Sequence, residues 1–176
     1  MKNFKKYLTI SLFIIITLSF LTGCAPKREE IKFEGDEGSI SFNLKQEGKY
    51  KISTKKEDLR TSREQATLLG DGFKIGIEFD DDFGYFFKGD FKQLKEKRKN
   101  NNDYKEVTYS EMNGIQYFYP GYMCYNVILP IEGSKDYYLV LTVYGKEDTE
   151  KSAKEAIKNE ELLDILNHIT AVSAKK

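Results

Sequence analysis

Hydrophobic and polar residues alternate along much of the chain after residue 39, which predicts a protein built mainly of β-strands. Over residues 73–79 every second residue is apolar, as in a strand with one buried face. Over residues 137–144 both alternating sets are largely apolar, which is typical of a central strand covered on both faces. Further strands are expected at residues 40–44, 50–52, 65–69, 104–111, 115–119 and 122–131.

Turn residues between these segments indicate how the strands connect. Glu47-Gly48 predicts a hairpin between the first two strands, and Gly70-Asp71-Gly72 joins the next pair. Asn113-Gly114 is a strong hairpin signal, because both residues adopt positive φ readily. Pro120-Gly121 marks a further turn.

Helices are expected at two places. Asp90 is a suitable N-cap for a helix of about ten residues. Residues 149–171 predict one helix, or two helices that meet near Asn159, while residues 55–64 indicate a loop or a single turn. The predicted fold class is therefore α+β, an antiparallel sheet flanked by helices.

The first 24 residues have a different pattern. Lys2, Lys5 and Lys6 precede an apolar segment that ends in Leu21-Thr22-Gly23-Cys24. The segment is shorter than the roughly 20 residues of a membrane-spanning helix, and small residues before a cysteine favour cleavage there. This arrangement resembles bacterial lipoprotein signals, which implies cleavage before Cys24 and a diacylglyceryl group, with fatty acids such as palmitate, on its sulfur.

This interpretation divides the chain into three parts. Residues 1–23 are the cleaved signal peptide, residues 24–38 are a lipidated N-terminus and tether, and residues 39–176 are one globular α+β domain. Two or three acyl chains would anchor the protein stably, on the extracytoplasmic face of the cell membrane.

The charge balance bears on the partners. The whole chain has 28 basic and 28 acidic residues, and removing the signal leaves 25 basic residues against 28 acidic ones. A mildly acidic protein without a clustered basic face is not expected to bind nucleic acid or anionic lipid through bulk electrostatics.

Few residues could support catalysis. His168 is the only histidine and is expected to be partly buried at a helix end, and no serine lies in a nucleophile motif. Cys124 lies in a strand-like run and is expected to be a buried, inert thiol. We therefore predict a non-enzymatic protein without a cofactor, although weak carboxylate chemistry stays open as an alternative.

Two groups of residues are candidate binding sites. Glu78, Asp80 and Asp82 lie beside a glycine and offer the oxygen ligands that Ca²⁺ prefers, although the run lacks the later ligands of an EF-hand. A solvated strand end is the alternative. Tyr85, Tyr119 and Tyr122 are candidates for a partner-binding surface, because grouped aromatic side chains often mark one. The alternative is that the aromatic residues of these strands form the core on one face and its cover on the other.

Several segments of the second half of the chain together suggest a known fold. They are Asn113-Gly114-Ile115-Gln116-Tyr117, Tyr125-Asn126-Val127-Ile128-Leu129-Pro130, Tyr137-Tyr138-Leu139-Val140-Leu141-Thr142-Val143 and residues 159–169. With them, the chain resembles the Mog1/PsbP-like fold and small lipoproteins of Gram-positive bacteria that have it. The resemblance covers the first half of the chain only in element order. It implies an α/β sandwich and a binding or assembly role.

Two functions are therefore expected. The first is a membrane-anchored module that binds another envelope protein or assists its assembly. The alternative is a lipoprotein that binds a small ligand or Ca²⁺ and works with a transport system.

Overall fold

The computed structural model describes residues 26–36, 38–80, 90–132, 134 and 138–174. These residues form ten strands and three helices. The strands are β1 (Arg28–Glu34), β2 (Gly38–Lys45), β3 (Lys51–Ser53), β4 (Ala66–Leu69), β5 (Phe73–Asp80), β6 (Lys105–Tyr109), β7 (Met112–Tyr119), β8 (Cys124–Pro130), β9 (Tyr138–Gly145) and β10 (Ile169–Ala174). The helices are α1 (Phe91–Arg98), α2 (Glu150–Ala156) and α3 (Glu160–Leu166).

The strands form two antiparallel sheets. The small sheet has the order β1-β2-β10, and the large sheet has the order β3-β4-β5-β9-β8-β7-β6. With three helices, this arrangement confirms the predicted α+β class. All eight residues of β9 are buried, which confirms the prediction of a central strand covered on both faces.

The main core lies on one face of the large sheet, which we call the inner face. Here the small sheet and helices α2 and α3 pack against the large sheet and form one hydrophobic cluster. Phe42, Phe79 and Leu162 are among its fully or nearly fully buried members. Each layer buries an apolar face that it could not bury alone, which explains why two sheets and two helices form one core.

The opposite face of the large sheet, which we call the outer face, has a smaller core. Leu94 of α1 is fully buried there against Ile115, Tyr117, Ile128 and Val140. The prediction of a helix after Asp90 is confirmed, because the Asp90 carboxylate accepts a hydrogen bond of 2.9 Å from the Gln93 backbone N–H. Helix α1 covers only part of the outer face, and the rest carries polar side chains.

The expected tether over residues 24–38 is wrong for most of its length. Residues Arg28–Glu34 form strand β1, which pairs with β2 from Arg28 opposite Lys45 to Glu34 opposite Ser39. Ile31 and Phe33 pack against the core, and the charged residues around them conceal this short apolar alternation. The globular domain therefore includes strand β1 and begins before residue 39.

The predicted hairpin around Glu47-Gly48 is also wrong. Strand β2 pairs with β1 and β10 in the small sheet, whereas β3 pairs with β4 in the large sheet. The chain passes from one sheet to the other between Lys45 and Lys51. The loop expected at 55–64 is confirmed, and so is the pairing of β4 with β5.

The hairpin of β6 and β7 exists, but its turn is not Asn113-Gly114. Tyr109 lies opposite Met112, so the turn consists of Ser110 and Glu111, whose φ angles are 47° and 68°. Gly114 lies inside β7, where a Cβ atom would come within 2.5 Å of the Ile128 carbonyl oxygen. The glycine at position 114 thus permits a close approach of the β7 and β8 backbones and does not form the turn.

Of the two alternatives expected for the C-terminal region, the structure has two helices rather than one, and they are followed by a strand that was not predicted. Helices α2 and α3 are separated at Asn159, whose side chain caps α3. The predicted helical stretch to residue 171 is wrong beyond Leu166, because Ile169–Ala174 forms β10 and pairs with β2.

Candidate functional site

The turn that joins β7 to β8 carries a group of exposed large hydrophobic side chains, and we call residues 119–123 the aromatic turn. Tyr119 is 40% exposed, Tyr122 57% and Met123 37%, and they are the only exposed large hydrophobic side chains in the described ranges. The ring centroids of the two tyrosines lie 5.7 Å apart. The structure therefore brings Tyr119 and Tyr122 together at the surface, as the sequence predicted.

The backbone of the aromatic turn is tightly folded. The Tyr122 and Met123 N–H groups donate hydrogen bonds of 3.4 Å to the carbonyl oxygens of Tyr119 and Pro120 respectively. Pro120 has a restricted φ, and Met123 has the positive φ of 48° that closes the turn. A backbone that is already folded loses less conformational entropy on binding, so this turn is suited to present an aromatic contact.

The aromatic turn is continuous with the outer face of the large sheet. Tyr119 lies opposite Cys124 in β8, and Cys124 lies opposite Tyr144 in β9. The guanidinium carbon of Arg60 lies 4.9 Å from the centroid of the Tyr144 ring, and Arg60 also forms an ion pair with Asp148. An arginine and several tyrosines thus share one side of the molecule, a composition that is enriched in protein interfaces.

Glu64 fixes the loop that carries Arg60. The Glu64 side chain, 4% exposed, accepts hydrogen bonds of 2.6 Å from the Tyr144 hydroxyl and 2.8 Å from the Arg60 backbone N–H. Gly76 leaves room for this carboxylate, since a Cβ atom there would collide with it. Burial, together with the Glu64 carboxylate, raises the pKa of Tyr144 far above its ordinary value, so its hydroxyl stays protonated and donates.

A row of polar side chains crosses the middle of the outer face. Thr142 lies opposite Asn126, which lies opposite Tyr117. The Thr142 hydroxyl donates to Asn126 Oδ1 at 3.3 Å, and the Asn126 amide donates to the Tyr117 hydroxyl at 3.2 Å. Because these groups bond one another, the row is a connected hydrogen-bond network that aligns β7, β8 and β9.

Cys124 lies beneath this surface and is a buried thiol, as predicted. It is 1% exposed and forms no disulfide. Burial, with the nearby Glu64 carboxylate, raises the pKa of the Cys124 thiol to about 12. A thiol that stays protonated at neutral pH is a poor nucleophile.

The acidic group predicted as a Ca²⁺ site is only partly described. Arg63 forms ion pairs with Glu78 at 3.2 Å and with the buried Asp80 at 3.1 Å. Asp82 lies outside the described residues. Within the described ranges no three acidic, histidine or cysteine side chains are grouped as metal ligands, and the Ca²⁺ site stays a prediction.

Three further predicted residues have different outcomes. Cys24 and Tyr85 lie outside the described residues, so lipid attachment and the contribution of Tyr85 stay predictions. His168 follows α3 and is partly buried, as expected, and its Nδ1 atom lies 2.7 Å from the Asp164 carbonyl oxygen.

Arg60 and Glu64 were not among the residues predicted from the sequence. Both residues belong to a polar loop. Their position over β9 depends on the hydrogen bond between Glu64 and Tyr144, which are 80 positions apart in the chain. The available signal was Gly76, a glycine in the middle of a clear strand pattern, which indicates close approach by another group.

The fold and this surface define the class of protein: an antiparallel α+β domain with an exposed aromatic turn at the end of β7 and an arginine over Tyr144, two strands away. No protein-family model, curated protein or solved structure matches the chain. None of the helices in the described ranges has the length and apolar character needed to cross a membrane.

Proposed function

We propose that the protein is a lipoprotein held at the outer side of the cell membrane by a lipid on Cys24, and that it binds another envelope protein through the aromatic turn. The observation that carries the binding role is the grouping of Tyr119, Tyr122 and Met123 in one turn of five residues. Elsewhere in the described ranges, large hydrophobic side chains are buried or half-buried. Exposed aromatic groups of this kind mark interaction sites.

The anchor is supported by the sequence Leu21-Thr22-Gly23-Cys24 after a basic and apolar segment. The non-catalytic role is supported by the inert environment of Cys124 and by the hydrogen bonds that engage Glu64 and Tyr144 in holding the Arg60 loop. The Mog1/PsbP-like sandwich belongs to this proposal, supported by helices on both faces of one antiparallel sheet.

Site-specific photocrosslinking in cells tests the binding role. A benzophenone amino acid is placed at Tyr122, and as a matched control at Glu106, an exposed residue of the edge strand β6. We expect one protein adduct of defined mass from position 122, weakened several-fold by Tyr119→Ala, and no such adduct from position 106. Identical adducts from both positions, or insensitivity to Tyr119→Ala in a folded protein, would contradict the proposal.

A further inference from the structure

Strand β1 begins much nearer to Cys24 than the sequence pattern suggests. Only Ala25, Pro26 and Lys27 separate Cys24 from Arg28, the first residue of β1. Four extended residues span roughly 14 Å at most, whereas a domain of this size has a radius of gyration of roughly 15 Å. A lipid on Cys24 would therefore hold the Arg28 end of the small sheet close to the bilayer.

Backbone contacts define which residues share that end. Arg28 lies opposite Lys45, and the Gln46 N–H donates a hydrogen bond of 2.9 Å to the Lys27 carbonyl oxygen. The Gly48 N–H donates to the Lys45 carbonyl oxygen at 3.1 Å, which closes a turn beside Lys27. We call residues 27–28 and 45–49 the tether face.

The charge of the tether face is locally positive, although the mature chain is mildly acidic. Lys27 and Lys49 are exposed, and Lys45 is half-exposed, against the single carboxylate of Glu47. Asp164 compensates the charge of Arg28 through two hydrogen bonds of 2.7 and 3.1 Å, and its carboxylate also forms an ion pair with Lys45 at 3.6 Å, so the excess charge comes chiefly from Lys27 and Lys49. The tether face therefore keeps a small excess of lysine charge.

We infer that the tether face contacts the anionic headgroups of the membrane surface and so orients the domain on the bilayer. The inference rests on the proposed lipid anchor. A few lysines bind anionic lipid weakly by themselves, but a short covalent tether gives them a high effective concentration at the headgroups. Membrane contact of this kind needs no basic patch on the rest of the molecule.

Lysine footprinting on the lipidated protein tests this orientation. The protein is isolated from membranes, its lipid is verified by mass, and it is inserted into preformed vesicles that contain phosphatidylglycerol. A water-soluble amine-acylating reagent is applied, and the modification of each lysine is compared with that in detergent micelles. We expect Lys27, Lys45 and Lys49 to react several-fold more slowly in the vesicles, and the exposed controls Lys105 and Lys151 to react at unchanged rates.

Two further experiments separate the effect of the short tether from the effect of headgroup charge. A long Gly/Ser linker inserted between Ala25 and Pro26 keeps the lipid but lengthens the reach, so protection of the three lysines should fall. Vesicles of phosphatidylcholine alone should protect them less than vesicles with phosphatidylglycerol. Equal reactivity of the tether-face and control lysines, protection that survives the linker, or protection that ignores headgroup charge would each overturn the inference.

Failure of the anchor itself is distinguishable from these results. A protein without lipid is recognised by its mass before footprinting, and that result would contradict the proposed function. Unprotected lysines on a protein with verified lipid would overturn the orientation alone.

Discussion

A single ion pair joins the beginning of the described chain to its last helix. The guanidinium group of Arg28 in β1 binds both carboxylate oxygens of Asp164 in α3, at 3.1 and 2.7 Å, although 136 positions separate the two residues. The hydrogen bonds from Arg28 lower the pKa of Asp164 below its ordinary value of 3.8, and Lys45 contributes in the same direction. Both side chains are mostly buried, so solvent screens this pair less than a surface pair.

This pair predicts a pH-dependent stability. Because the pKa of Asp164 is lower in the folded protein, its contribution is present above pH 3.8 and is lost as the pH falls through the lowered pKa. We expect Asp164→Asn to reduce the free energy of unfolding by about 1.5–3 kcal/mol at neutral pH. The difference from the wild type should shrink in acid, as measured by urea unfolding across pH.

Glu96 supplies the control for this prediction. Its pKa is also lowered, chiefly by a hydrogen bond from Lys99, but both side chains are largely exposed. Glu96→Gln should therefore change stability little at any pH. An Asp164→Asn variant that behaves like Glu96→Gln would show that the pair contributes nothing measurable.

Single residues also mark the limit of prediction from the sequence. Tyr119 and Tyr122 could be predicted as a surface pair, because they flank Pro120-Gly121 between two strands. Arg60 could not, because its place above Tyr144 depends on the carboxylate of Glu64, which itself depends on Gly76 in another strand.

At the scale of elements, the hairpin of β6 and β7 carries local backbone strain. Ser110 and Glu111 both adopt positive φ, which costs an L-residue roughly 1–2 kcal/mol. The Ser110 hydroxyl donates a hydrogen bond of 3.2 Å to the Leu166 carbonyl oxygen, and this bond favours serine at position 110. Glu111 is exposed at φ 68°.

Glu111→Gly should therefore stabilise the protein. Glycine adopts positive φ without a Cβ penalty, so we expect a gain of about 1 kcal/mol in the free energy of unfolding. Glu111→Ala is the matched control, since it removes the charge but keeps the Cβ atom. Chemical denaturation should separate the two variants, and an equal response of both would refute the assignment of strain to the backbone.

The division between α2 and α3 gives a second prediction at this scale. Asn159 Oδ1 accepts hydrogen bonds from the Glu161 and Leu162 backbone N–H groups, at 2.9 and 3.2 Å. Asn159→Ala should cost about 1 kcal/mol of stability, whereas Asn159→Asp should retain most of it. A thermal melt that shows the same loss for both variants would mean that the cap is not the cause.

Elements were predictable where their evidence is local. Asp90 and Asn159 follow the rules of helix capping, and β9 shows its burial in the apolar run of residues 138–143. Strand β1 was missed because charged residues conceal its apolar alternation, although it pairs with β2, the next strand in the chain. Strand β10 was missed because it pairs with β2, which lies more than 120 residues away in the chain. The chain's crossing between sheets after Lys45 likewise depends on tertiary packing.

At the scale of the whole molecule, the proposed function requires one region near the membrane and another that is open to a partner. The Arg28 end of the small sheet lies within a few residues of Cys24, and the aromatic turn lies at the edge of the outer face of the large sheet. A lipid would fix the first region at the bilayer, so the domain would present the remainder of its surface to other envelope proteins. The proposed anchoring and the proposed binding would thus involve separate parts of one domain.

The central claim is that Cys24 carries the lipid that places this domain at the membrane. Cells that express the full chain are grown with radiolabelled palmitate, and the protein is recovered by fractionation and weighed intact. We expect a labelled membrane protein whose polypeptide begins at Cys24, with label and membrane location both lost in Cys24→Ser. An unlabelled polypeptide of full precursor mass in the soluble cytosolic fraction would contradict it.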